Sequence, residues 1–234
     1  MAITVDAYKI AYMALPKAGC SSVKEALARL DPDFTVPPED QIDIYTWHGR
    51  FPTRRFRGFR WARYSDYWRF CVVRDPVKRL MSVYTNRVVQ FGDVANSRRL
   101  RKNPKWSHLN PDPSPDEFFA NLTDYKSVNS SIKHHAMGAW HFLGRDFGNY
   151  DRVYKTEELG QLAQDLSKRT GQFVTMPRGN RSDQTLTLDD LAPATIDAIR
   201  PFLEQEYEHL SAFYQNPLGS RRHEACAIPS ARVS

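Results

Sequence analysis

Apolar positions fall along the chain in two textures. Ile10-Ala11-Tyr12-Met13-Ala14-Leu15 is nearly unbroken, the pattern of a strand buried on both faces, and it stops at Pro16-Lys17-Ala18-Gly19. Val23, Ala26, Leu27 and Leu30 then recur at i, i+3, i+4 and i+7, which predicts a helix with one apolar stripe. Ser21 or Ser22 is its expected N-cap. The same logic returns downstream. Phe70-Cys71-Val72-Val73 reads as a short buried strand ending at Arg74. Asp75 can cap the next helix, and Pro76 fits its first turn, where a missing N–H costs nothing. Val77, Leu80, Met81, Tyr84, Val88 and Phe91 continue with helical spacing.

Ser114-Pro115-Asp116-Glu117 has the form of a capping box with proline at N1, opening a helix that buries Phe118, Phe119 and Leu122. Residues from Ser131 to Leu143 are expected to be helical. Arg152-Val153-Tyr154 predicts a short strand, and Leu159, Leu162, Ala163 and Leu166 a helix after it. The last helical region holds Ile196, Ile199, Leu203, Tyr207, Leu210 and Phe213, with Pro201 expected to kink or restart it. The pattern is weakest from Asp31 to Tyr67. Strands alternating with helices point to an α/β chain with a parallel sheet and helices on both faces. We expect one domain over residues 1–216 and a loosely ordered tail over 217–234.

Composition narrows the classes. The 234 residues suffice for one sizeable core, and 41% hydrophobic with 12% aromatic content suits a globular protein. No apolar run approaches the ~18–20 residues that span a bilayer, and Met1 to Tyr8 lacks the pattern of a signal peptide. Cys20, Cys71 and Cys226 are few, odd in number and far apart, which argues against a disulfide framework and against a zinc cluster. A soluble, cytoplasmic protein is expected. The net charge of +6 is concentrated: Arg50, Arg54, Arg55, Arg57, Arg60, Arg63 and Arg69 crowd one segment, Arg98, Arg99, Arg101, Lys102 and Lys105 another. Such runs attract polyanions, or simply form a solvated basic face.

The candidate chemistry sits at the two strand-to-helix junctions. Pro16-Lys17-Ala18-Gly19-Cys20-Ser21-Ser22 would present several unpaired N–H groups at a helix N-terminus, an anion site. Gly19 permits close approach of the backbone, Ser21 and Ser22 offer hydroxyls, and Lys17 adds a full charge. The order is not that of a Walker A loop, because the lysine precedes the glycine. An ordinary βα turn with a solvent-facing lysine is the bland alternative. At the second junction Arg74 ends a strand, where ligands of open α/β sheets bind, and Arg79 and Ser82 share a helix face. An arginine and a hydroxyl converging there can clamp a phosphate.

Pro-Lys-x-Gly-x-Ser-Ser followed by Val-Val-Arg-Asp-Pro-x-x-Arg-x-x-Ser-x-Tyr resembles the two donor-binding elements of the Golgi-type carbohydrate sulfotransferases and their bacterial relatives. The resemblance continues through Tyr150 to Leu159, through Asn180-Arg181-Ser182 and into the last helices. It implies a P-loop-NTPase-like fold, a central parallel sheet flanked by helices on both faces. It also implies transfer of a sulfuryl group from 3′-phosphoadenosine 5′-phosphosulfate (PAPS) to an acceptor hydroxyl, a carbohydrate above all, with no metal. Lys17 would then act on the bridging oxygen, Ala18, Gly19, Cys20, Ser21 and Ser22 would wrap the 5′-phosphate, and Arg74 and Ser82 would hold the 3′-phosphate.

An acceptor hydroxyl needs a base. His48, in Trp47-His48-Gly49-Arg50, matches the first histidine of a His-Gly-His sequence in the heparan 2-O-sulfotransferase branch, where the second is the base; Arg50 stands in the second place. His135, beside His134, precedes Gly138-Ala139 where another family stretch has Pro-Gln. His48 is the first candidate and His135 the second. Two other classes compete. A P-loop kinase would need a Walker lysine and a carboxylate for Mg²⁺. A basic nucleic-acid module would suit the arginines and aromatics of residues 50–69 but leaves both strand–loop–helix motifs unexplained, so no nucleic acid is expected as partner.

Overall fold

The computed structural model describes residues 2–43, 45–177 and 185–219. The Asn180-Arg181-Ser182 stretch, Cys226 and residues 220–234 of the expected tail lie outside the described residues. Strand β1 (Ile3–Val5) turns back through a single 3-10 turn into β2 (Ile10–Met13), every residue of which is buried. Helix α1 (Cys20–Leu30) follows, then the short α2 (Thr46–Arg50) and α3 (Gly58–Trp61), and the chain re-enters the sheet as β3 (Trp68–Val73). Next come α4 (Pro76–Val83), which runs on as a π-helical segment over Tyr84–Gln90, and α5 (Arg98–Lys102). Helices α6 (Pro115–Ala120), α7 (Leu122–Val128), α8 (Ser130–His135) and α9 (Trp140–Leu143) lead to β4 (Arg152–Lys155). The described fold closes with α10 (Leu159–Thr170) and α11 (Pro193–His209).

The sheet has the order β1-β2-β3-β4. β2, β3 and β4 are parallel, with Met13 beside Cys71 and Val73 beside Lys155. β1 departs from the expected all-parallel arrangement. Its three residues connect to β2 through a short turn, and so short a link permits only antiparallel pairing. Period-two alternation sorts the two faces. Tyr12, Phe70, Val72 and Tyr154 pack with Val23 and Leu27 of α1 and Leu162 and Leu166 of α10. Ala11, Met13, Cys71 and Val73 face Trp61, Phe142, Leu143 and Leu210. A third apolar cluster, built on Phe118, Phe119, Tyr125 and Leu203, joins α6, α7 and α11 to α4. The α/β fold with helices on both faces is thus present, with a mostly parallel sheet.

Local signals held where they were self-contained. Asp75 accepts from the Lys78 N–H, and the Ser114–Glu117 capping box is complete. Three expectations need correction. Helix α1 starts earlier than its serines, capped by Gly19 at φ 69°, a left-handed conformation in which glycine carries no Cβ penalty. The segment Ser131–Leu143 is two helices, because the chain leaves helical geometry after His135. There the buried Arg79 guanidinium takes the Met137 carbonyl at 2.9 Å and the His135 carbonyl at 3.3 Å, while Glu206 accepts from the Ala139 N–H at 2.8 Å. Helix α11 does not restart at Pro201 but runs on through it, its buried Ile199, Leu203 and Tyr207 holding one face against the core.

Candidate active site

The turn between β2 and α1 is shaped by two left-handed residues, Lys17 (φ 66°) and Gly19 (φ 69°). A Cβ on Gly19 would lie 3.2 Å from Leu159 Cδ1, so α10 packs closely over the turn. Lysine tolerates positive φ poorly, and the position is held by its surroundings. The Arg74 guanidinium, at the end of the adjacent parallel strand, donates to the Lys17 carbonyl at 2.9 Å. The Lys17 ammonium donates to Asn86 Oδ1 at 2.6 Å, and Asn86 Nδ2 donates onward to Gln90 at 2.7 Å. Both partners sit on the π-helical segment, a rare geometry that recurs at functional sites.

Lys17, Gly19, Cys20, Ser21, Ser22, Arg74, His48 and His135 all line one cavity of about 1490 Å³. Ala18 lies in the turn with its side chain in the core, so it can offer a ligand only its backbone. Ser82 is half-buried and is not among the residues lining the cavity; its Oγ donates to the Arg79 carbonyl at 2.7 Å. Arg79 itself is 1% exposed and pairs with the fully buried Glu206. It is therefore no phosphate ligand. Arg50 turns outward to Asp31 at 3.1 Å, and the other arginines of its segment from Arg54 to Arg63 are exposed.

Five cations, Lys17, Arg74, Lys78, Arg87 and Lys168, stand on the described cavity wall against one carboxylate, Glu157. Arg87 is paired with Asp93 at 2.7 Å and Lys78 lies 3.7 Å from Glu157, and the remaining positive excess of Lys17, Arg74 and Lys168 suits a polyanion of nucleotide size. Burial lowers Lys17 to about 8, with Arg74 and Arg87 adding to the effect and the Cys20 thiol opposing it. Burial also depresses the histidines. His48 is pushed down to about 4, with Lys24, Arg87, His134 and Lys17 contributing, and His135 to about 3, with Arg87, His134 and Lys17 opposing its charged form. Both rings are neutral at pH 7.

Hydrogen bonds then separate the two. His135 Nδ1–H donates to the Ser131 carbonyl at 2.8 Å, which leaves Nε2 as the nitrogen with the free pair. His48 has a partner on each nitrogen, Lys24 Nζ at 3.0 Å from Nδ1 and Ser21 Oγ at 2.9 Å from Nε2. Lys24 and Asn86 escaped sequence reasoning. Lys24 follows Ser21 by three residues on one helix face, a signal in hindsight, whereas Asn86 lies 69 residues from the lysine it holds. Among the described residues no three His, Cys, Asp or Glu side chains gather as a metal site, and no helix is long and apolar enough to cross a membrane.

A parallel sheet whose strand ends carry a lysine-bearing turn and an arginine, both open to one basic cavity, defines a group-transfer enzyme of the nucleotide-binding α/β class. The comparison with known families makes this specific. Residues 1–210 match the model of the sulfotransferase family, and the chain belongs to that family, whose sulfuryl donor is PAPS. It is similar to mouse (Mus musculus) carbohydrate sulfotransferase 14, at 27% identity over 169 residues, 66% of this chain and 42% of the relative. The chain thus spans less than half the length of the curated relative it matches. No solved structure gives a significant match.

Proposed function

We propose that this chain moves the sulfuryl group of PAPS to a hydroxyl of a carbohydrate, with Lys17 at the leaving group and His135 as the base. The observation that carries the reading is the convergence of Lys17 and Arg74, from the ends of two adjacent parallel strands, on one cavity with three histidines, His48, His134 and His135. The residues fit the donor. The N–H groups at the start of α1, with Ser21 and Ser22, suit its 5′-phosphosulfate, and Arg74 suits its 3′-phosphate. Bound there, PAPS supplies the sulfuryl group and departs as adenosine 3′,5′-bisphosphate. The name of the mouse relative supports a carbohydrate acceptor.

His135 Nε2 takes the proton of the acceptor hydroxyl as its oxygen bonds to sulfur. The S–O bond to the bridging oxygen breaks, and Lys17 stabilises the electron pair left on the phosphate. Loss of Lys17 should therefore lower turnover more than donor affinity. A panel of carbohydrate acceptors and tyrosine peptides with radiolabelled PAPS tests the reading. Transfer to a carbohydrate is expected; transfer to peptide tyrosine alone would overturn the acceptor class. His135→Ala should cost roughly 10²–10⁴ in kcat while binding adenosine 3′,5′-bisphosphate as before. A His135→Ala enzyme of near-normal kcat would remove it as the base.

A further inference from the structure

Lys24 has no exposed surface, and among the described residues no carboxylate pairs with it. A lysine so placed is costly, since burial disfavours its charge. Its Nζ donates to Thr53 Oγ1 at 2.8 Å and lies 3.0 Å from His48 Nδ1. An ammonium carries only donors, so Nδ1 must be the accepting nitrogen and the imidazole proton must sit on Nε2. Nε2–H then points at Ser21 Oγ, 2.9 Å away, and that oxygen becomes an acceptor. The hydroxyl hydrogen of Ser21 is left to turn towards the cavity that Ser21 lines.

We propose that Lys24 is a positioning residue of the anion turn: through His48, held in its Nε2–H form, it aims the Ser21 hydroxyl at the anion bound there. The inference rests on the reading of this turn as the seat of the 5′-phosphosulfate. It gives His48 a role on the donor side, since the ring has no free pair for an acceptor proton. Each bond in the row polarises the next, so the buried charge of Lys24 strengthens Ser21 as a donor although Lys24 does not itself line the cavity. The device also accounts for Thr53, whose hydroxyl satisfies a second N–H of a cation that water cannot reach.

Nitrogen-15 NMR of the histidine side chains, with the His48 signals assigned by their loss in His48→Asn, tests the first link. The parent protein should show His48 protonated on Nε2 and bare on Nδ1, and Lys24→Met, which keeps the volume, should lose that pattern. Calorimetry with adenosine 3′,5′-bisphosphate tests the second. Lys24→Met and Ser21→Ala should each weaken binding about tenfold or more, as for a hydrogen bond to a charged group, and the double variant no more than either alone. His48 protonated on Nδ1 in the parent protein would overturn the proposal even if Lys24→Met fails to fold. Additive losses would overturn the route through Ser21. Failure of the parent protein to bind the nucleotide, with the tautomer as expected, would instead bring down the donor reading on which the proposal stands.

Discussion

Raising the pH from 7 to 9 should lower kcat/KM for the donor about tenfold, through one residue. Lys17 is desolvated by burial and faces Arg74 and Arg87, so its ammonium titrates at about 8. About nine-tenths of it is charged at pH 7 and about one-tenth at pH 9; a lysine with the ordinary value near 10.4 would barely change over that range. The sign follows from its role. In the role proposed for Lys17 the charged form stabilises the departing phosphate, so activity should be present below pH 8 and lost above it. The donor's own phosphate finishes ionising near pH 6, below the window. Initial rates with radiolabelled PAPS well below KM, from pH 6.5 to 10, measure the limb for the free enzyme, and melting curves at each pH check folding. Lys17→Arg should retain a cation throughout and give a flat alkaline side, whatever its absolute rate. A parent profile flat to pH 10, or a limb that persists in Lys17→Arg, would refute the assignment.

Two structural predictions accompany it. Arg79→Met leaves Glu206 buried without its partner and frees the His135 and Met137 carbonyls, so it should cost about 3–5 kcal/mol in denaturant melts, with Arg79→Met/Glu206→Met recovering part of the loss. A loss below about 1 kcal/mol for the single variant would mean that the pair does not pin the 135–139 segment. Gly19→Ala forces a Cβ into a left-handed residue 3.2 Å from Leu159 and should cost about 1–2 kcal/mol by the same measurement; an unchanged midpoint would show that the turn relaxes freely.

What could be read from the chain beforehand divides along physical lines. The β2 and β3 strands and the α1 stripe were legible because burial on both faces, or on one helix face, writes itself into consecutive residues. The caps at Asp75 and Ser114 were legible because donor and acceptor lie three residues apart. β1 escaped because Ile3-Thr4-Val5 is too short to show a period. The break after His135 was invisible for another reason: its causes are Arg79 and Glu206, about 56 and 67 residues away in sequence from the groups they hold. The same holds for the site. Lys17, Gly19, Ser21, Ser22 and Arg74 were named from two local motifs, and the structure brings them to one cavity. Ser82 donates to its own helix carbonyl instead, and no spacing rule reveals the partners of His48 and His135, Lys24 and the Ser131 carbonyl, on which the proposed choice between them rests.

The cavity's electrostatics lead to a last prediction. Lys17, Lys24 and Arg74 all have their charged forms disfavoured, in each case chiefly by burial, so the fold holds positive charges stripped of water that a bound anion can compensate. Adenosine 3′,5′-bisphosphate at a hundred times its Kd should add about 2.7 kcal/mol to stability. At about 2–4 °C per kcal/mol for a chain of this size, Tm should rise by roughly 5–11 °C. AMP lacks the 3′-phosphate proposed for Arg74. If that contact is worth about 1.5–3 kcal/mol, AMP binds some ten- to hundredfold more weakly, and the same concentration adds only about 0.4–1.4 kcal/mol. Its shift should be half as large or less. In Arg74→Ala the two nucleotides should become nearly equal, because the residue that tells them apart is gone. Equal shifts in the parent protein would refute the role of Arg74, and a difference that survives in Arg74→Ala would assign the 3′-phosphate to another cation on the wall, with Lys78 the next to replace.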